Sequence, residues 1–208
     1  MRFIKKIIFG LFIISNVQSI SGQEIRLDGE IFEYATYYIS SFDLNTGATN
    51  VQIFRYQLST DTYPVSVKIR FKASILSPIL GINSNLTIME VETDAFGLQA
   101  PIILDNRDIS SETTVIYDMD SPPNSIELTG RVIDTIDPSQ ADAILQSIMA
   151  TGKIADGEYT FEVSILSEDD QVLASDSKII LVQSPVSITL ESPSGVLSDT
   201  LDNVIYTT

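Results

Sequence analysis

Residues 65–75 read VSVKIRFKASI, and their alternation decides the fold class. Val65, Val67, Ile69, Phe71, Ala73 and Ile75 are apolar, while Ser66, Lys68, Arg70, Lys72 and Ser74 between them are polar. Side chains of an extended strand point alternately to opposite faces. The stretch therefore predicts a strand with one face in a core and the other toward water, and Pro64 marks its start. The basic row Lys68, Arg70 and Lys72 reads first as protection of an exposed edge strand against pairing with other chains. A contact with an anion or with an acidic neighbour is the alternative.

A second alternating stretch lies at 153–166, KIADGEYTFEVSIL. Here an Asp-Gly turn delivers Tyr159 into a strand, which is the pattern of a tyrosine corner. The ring packs into a sandwich and its hydroxyl bonds back to backbone a few residues upstream. Ile154 is expected to be buried beside the ring, Gly157 to allow the tight turn, and Phe161 and Val163 to continue the core face. Residues 158–166 are expected to pair with 172–182 across the polar turn at 167–170.

Further strands are predicted at 31–39, 51–58, 86–92, 102–104 and 114–117, with a short run at 126–133 after Pro122 and Pro123. Asp43–Gly47 reads as a hairpin connection between the first two. One helix interrupts them. Asp137 is suited to its N-cap, Pro138 to its first position and Gly152 to its end, and Ala141, Ile144, Leu145 and Ile148 form an apolar stripe. It is expected to lie as a lid over one end of a sheet. The fold class is all-β, with immunoglobulin- or fibronectin-like sandwich units and one short helix at about 138–151. The expected organisation is a β-domain over 23–122 and a second β unit over 123–192, holding the helix and the hairpin. A linker with the start of a truncated further domain follows over 193–208, after a strand-like run at 186–190.

The first 22 residues have a different character. Arg2, Lys5 and Lys6 precede the apolar run 7–14, and Val17, Ser19 and Ser21 offer small residues for cleavage. This is the layout of a secretory signal peptide, with no cysteine for acylation, and it is too short for a membrane span. No later run is long enough to span a membrane. The chain carries 28 acidic and 12 basic residues, a net charge of −16, and loss of the leader makes it more negative still. That field repels nucleic acid and anionic lipid. Cysteine is absent, so an exported chain would be stabilised by its core rather than by disulfides.

The run Ile154-Ala-Asp-Gly-Glu-Tyr-Thr-Phe161, followed by Leu173–Ser177, Pro185 and Leu190–Pro193, resembles the L-P-x-G-x-Y module of TANFOR-type surface proteins. Leu128–Gly130 and the preceding helix are similar to that layout. The resemblance covers roughly residues 125–195, with Ala155 where the family has proline and without the family's strand cysteines. It implies a bacterial secreted or envelope protein with a structural role, in which this module precedes fibronectin type III-like domains. It supplies no catalytic residues.

With no histidine and no cysteine, Ser-His-Asp and Cys-His catalysis and the usual zinc sites cannot form. Neither a P-loop nor a dinucleotide fingerprint is present. Carboxylate chemistry and hard-cation binding remain. Three acidic loop groups could supply oxygen ligands to calcium: Asp105 with Asp108, Asp118 with Asp120, and Glu168, Asp169 and Asp170. None has EF-hand spacing, and solvated turns that keep an exported protein soluble are the preferred reading. The expected function is a secreted or cell-envelope, non-enzymatic structural or adhesive module whose partners are envelope or extracellular proteins or glycans. A glycan-binding module with calcium-stabilised loops is one alternative. The accessory region of a hydrolase is another, requiring two carboxylates in a cleft with separated pKa values.

Overall fold

A computed structural model describes residues 24–41, 43–151 and 154–183. The expected leader, the strand-like run at 186–190 and the expected further domain lie outside these residues.

Two antiparallel sheets enclose the core. The first has the order β1 (Ile25–Ile31), β2 (Phe54–Thr60), β6 (Ile102–Asp105). The second runs β11 (Val172–Val182), β10 (Gly157–Leu166), β3 (Val65–Ser77), β4 (Ile82–Thr93), β9 (Gly130–Thr135), and β5 (Phe96–Leu98) also pairs with β3. A separate pair is formed by β7 (Thr114–Tyr117) and β8 (Ser125–Leu128). The fold is all-β, with α1 (Pro138–Thr151) as the single α-helix among the described residues.

The apolar side of β3 sorts as expected, with Val67, Ile69, Phe71, Ala73 and Ile75 buried, but the polar side does not simply face water, because Lys68 and Ser74 are buried as well. The apolar side chains meet Phe54, Tyr56 and Leu58 of β2, and the rings of Phe54 and Phe71 approach to 5.3 Å across the two layers. From β10, Tyr159, Phe161, Val163 and Ile165 are fully buried in the same core. Burial of such side chains supplies most of the stabilisation, about 1.5–3 kcal/mol each before entropy is counted.

Three expectations are corrected. The boundary near residue 122 does not divide the molecule, because β10 pairs with β3 and β9 pairs with β4. Segments on both sides of that boundary share one sheet. The strand expected at 31–39 ends at Ile31, and Glu33–Ser41 forms a 3-10 helix. The turn is fixed by hydrogen bonds from the Phe32 amide to Ile53 O (2.8 Å) and from the Ala35 amide to Phe32 O (3.1 Å), with Ala35 and Thr36 buried beneath it. The place beside β2 belongs instead to β1, in register from Ile25 opposite Thr60 to Ile31 opposite Phe54. Consequently Asp43–Gly47 is a turn but not a hairpin. It is closed by Asp43 Oδ1 accepting the Asn45 amide at 2.8 Å and by Gly47 at φ 72°, and it leads from the 3-10 helix into β2.

The helix begins as expected. Asp137 Oδ1 accepts the Ser139 amide at 2.8 Å, and Ile144 is buried where the helix borders Leu80, Ile82 and Leu86 at the start of β4. The side chains of Leu145 and Ile148 are outside the described set. Polar ties complete the frame. The Tyr56 hydroxyl donates to Asp176 at 2.5 Å, joining β2 of one sheet to β11 of the other. Buried Asn106 accepts the Ile53 amide at 2.5 Å and donates to Val51 O at 2.7 Å. Among the described residues no buried side-chain nitrogen or oxygen lacks a hydrogen-bond partner.

Candidate functional site

Tyr159 is buried at the start of β10, and its hydroxyl donates to Ala155 O, four residues upstream, at 3.0 Å. Burial, and then the charge of Asp156, push its pKa up to about 12. Ile154 and Phe161 are buried with it. Gly157 has a different task from the one expected. It does not adopt positive φ; a Cβ there would sit 2.6 Å from Leu76 O and 3.0 Å from Ser77 Cβ. Glycine is required because β10 passes close against the end of β3, where Ser77 Oγ also donates to Asp156 O at 2.6 Å.

The acidic loops are not brought together. Among the described residues no three carboxylates are grouped to hold a metal ion. Asp105 and Asp108 form a capping box around the 3-10 turn at 106–108. Asp105 Oδ1 accepts the Arg107 amide at 2.9 Å and Asp108 Oδ2 accepts the Asp105 amide at 2.8 Å. Asp118 closes the β7–β8 turn by accepting the Asn124 amide and side-chain amide, both at 2.8 Å. Those bonds hold its carboxyl below the usual range. In the β10–β11 turn Glu168 and Asp169 are exposed, while Asp170, at φ 62°, forms an ion pair with Lys68 that lowers its pKa.

Asp105 and Asp108 do have separated pKa values. Burial pushes Asp105 up, but the Arg107 guanidinium and amide, with Gln52, outweigh it and hold the carboxyl below its usual range. Burial raises Asp108, and the neighbouring charge of Asp105 adds to the shift. The cause is the capping turn rather than a cleft, so the separation marks a structural element. The signs give opposite consequences. Asp105 contributes stability above its unfolded pKa near 4, lost as pH falls through the lower folded value. Asp108 costs stability when ionised, and that cost disappears as pH falls through its raised folded value. Asp105→Asn is expected to lose about 2 kcal/mol at neutral pH. Asp108→Asn, which keeps an acceptor for the Asp105 amide, should match or slightly exceed the parent. Urea unfolding at neutral and mildly acidic pH measures both.

The basic row is not an edge device, because β3 lies between β10 and β4. Its counter-ions come from neighbouring strands. Glu92 of β4, only 2% exposed, accepts from Arg70 at 2.5 Å and from Arg131 of β9 at 2.8 Å, and lies 3.9 Å from Lys68. Lys72 pairs with Glu90 at 3.2 Å. The row is thus neutralised within the sheet, which removes it as a free anion or partner site. Sequence reasoning found the cations but missed these carboxylates, since their pairing depends on the register between strands.

Several large apolar side chains are left uncovered on the surface. Val115, Tyr117 and Met119 are exposed along one face of β7 and its continuation. Ile79, Ile179 and Leu181 are exposed at the end of the second sheet. Two open depressions flank that end. One lies between residues 178–183 and Glu33, Tyr34 and Thr36; the other lies between residues 181–183 and Leu76, Pro78 and Ile79. No described helix is long and apolar enough to cross a membrane. The chain matches no family model, no curated protein sequence and no solved structure, so its chemistry is read from its own residues alone.

Proposed function

We propose that the protein is an exported, non-enzymatic β-sandwich that serves as a structural or adhesive interaction module of the cell envelope or extracellular space. One observation carries this reading: Val115, Tyr117 and Met119 in one row, and Ile179 and Leu181 near Ile79 in another, leave large apolar side chains exposed where another macromolecule could cover them. Of the carboxylates considered for calcium, Asp105, Asp108, Asp118 and Asp170 are engaged in a cap, a turn and an ion pair. The amino-terminal layout supports export, and the resemblance of residues 125–195 to TANFOR-type proteins supports a surface role.

Tracking a carboxy-terminally tagged chain in its source cell tests the proposal. Cleavage between residues 19 and 22, accumulation in the envelope or medium, and reduced cell attachment on deletion are the expected results. An uncleaved cytosolic chain, or unchanged attachment after deletion, overturns it.

A further inference from the structure

We propose that the carboxy-terminal half of β11 with the residue that follows it, Lys178 to Gln183, is a docking edge that accepts an extended, basic segment of a partner protein as an added strand. This rests on reading the protein as an interaction module and specifies the chemistry of its partner.

Among the described strands β11 pairs only with β10; β1 of the other sheet lies close to it but forms no ladder with it. Edge strands of monomeric proteins are ordinarily blunted by outward lysines, proline or a bulge. Here the one available lysine is turned inward. Lys178 Nζ donates to Ile31 O at 2.9 Å and lies 3.7 Å from Glu33. The residues that do face outward are Ile179 and Leu181, 60% and 65% exposed, with Ile79, 72% exposed, bordering the same end of the sheet. The register shift that disturbs the β10–β11 ladder falls at Ile165 and Leu166, at the other end, so the accessible half is regular. A regular edge flanked by apolar side chains supplies both components of strand addition: backbone pairing for affinity and alternate side-chain contacts for selectivity.

Charge selects the occupant. Glu158 stands opposite Leu181 and Glu162 opposite Ser177 in the β10–β11 register, and Glu33 rims the adjoining groove. Lys178 balances Glu33 in that groove, whereas Asp156 and Glu158 line the depression beside Leu181, Val182 and Gln183, so that side is acidic, on a protein of net charge −16. A second copy would bring the same acids and the same net charge to the contact. A strand with alternating apolar and basic residues meets both the apolar row and the acids.

The experiment uses isotope-labelled protein and three synthetic peptides: one alternating valine and lysine, one alternating valine and glutamate, and the lysine peptide with proline at alternate positions. Amide exchange and shifts are followed by NMR. The lysine peptide is expected to bind and to protect amides within 178–183, with at least about tenfold weaker binding to the Leu181→Arg protein, equivalent to about 1.4 kcal/mol. Leu181 is exposed, and an unchanged melting temperature would show that the variant folds. The proposal is overturned by equal binding of the proline peptide, which would mean charge attraction without strand pairing. Absence of binding, or binding indifferent to Leu181→Arg, also overturns it. Edge amides already protected in the free protein would show that the chain covers its own edge. A sedimentation dimer abolished by Leu181→Arg would show that a second copy does so. Either result displaces the proposed partner. The localisation experiment is independent, so the two proposals fail separately.

Discussion

Replacing Tyr159 with alanine is expected to cost about 3–5 kcal/mol, and replacing it with phenylalanine about 1–2 kcal/mol. The alanine variant loses a fully buried ring between the sheets and leaves a cavity that the neighbouring Phe161 and Val163 fill only in part. The phenylalanine variant keeps the ring but removes the donor to Ala155 O, at a site where Ala155 is itself buried. Urea unfolding separates the two contributions. A phenylalanine variant as stable as the parent would mean that the hydroxyl does not pin the corner. The same residue makes the protein sensitive to alkali. Its folded pKa of about 12 is higher than the unfolded tyrosine value of about 10. Its stabilisation is therefore complete below the unfolded value and is lost as pH rises through the folded one. Tyr56, raised by burial and by Asp176, shifts in the same direction. Ultraviolet titration should show both phenols ionising later than the exposed tyrosines.

Glu92→Gln is the second large effect, expected at about 3 kcal/mol or more. Removing the charge leaves Lys68, whose side chain is 10% exposed, and Arg70 without their buried counter-ion. Asp170 still meets Lys68, Glu90 remains 3.6 Å from Arg70, and Asp94 lies 3.8 Å from Arg131. These secondary pairs limit the loss. Asp94→Asn provides the contrast: its pair with Arg131 is largely exposed and should be worth less than about 1 kcal/mol, declining further with salt. Equal effects at the two positions would mean that the buried carboxylate carries no special weight.

Much of the fold was legible because period-two patterning reports which face is buried. Val67 to Ile75 and Tyr159 to Ile165 show this most clearly. The strand at 25–31 obeys the same rule, with Ile25, Leu27 and Ile31 alternating against Arg26, Asp28 and Glu30, but Gly29 and the density of charge hide it. The opposite error at 31–39 has a tertiary cause. Aromatic and β-branched residues favour strands, yet the hydrogen bond from Phe32 to Ile53 and burial of Ala35 turn the chain instead. The candidate surface was least legible. Alternation placed Lys68, Arg70 and Lys72 on a polar face, but whether that face is an edge depends on which distant strands flank β3. Similarly, nothing local to residues 178–183 shows that Lys178 is turned toward Ile31. Acidic loops advertised ligands, whereas Asp105, Asp108 and Asp118 accept backbone amides a few residues away and Asp170 pairs with distant Lys68.

The pairing of β10 with β3 also sets when the molecule can fold. Leu166 lies opposite Lys68 and Glu158 opposite Leu76, so the centre of the larger sheet joins segments far apart along the chain. A nascent polypeptide that has produced only its first half has no neighbour for one side of β3. Loop closure of that length precedes any reward from the contact, which delays the rate-limiting step. The larger sheet is therefore completed only once residues 157–166 have been made, so the leading half of the chain cannot close its own core.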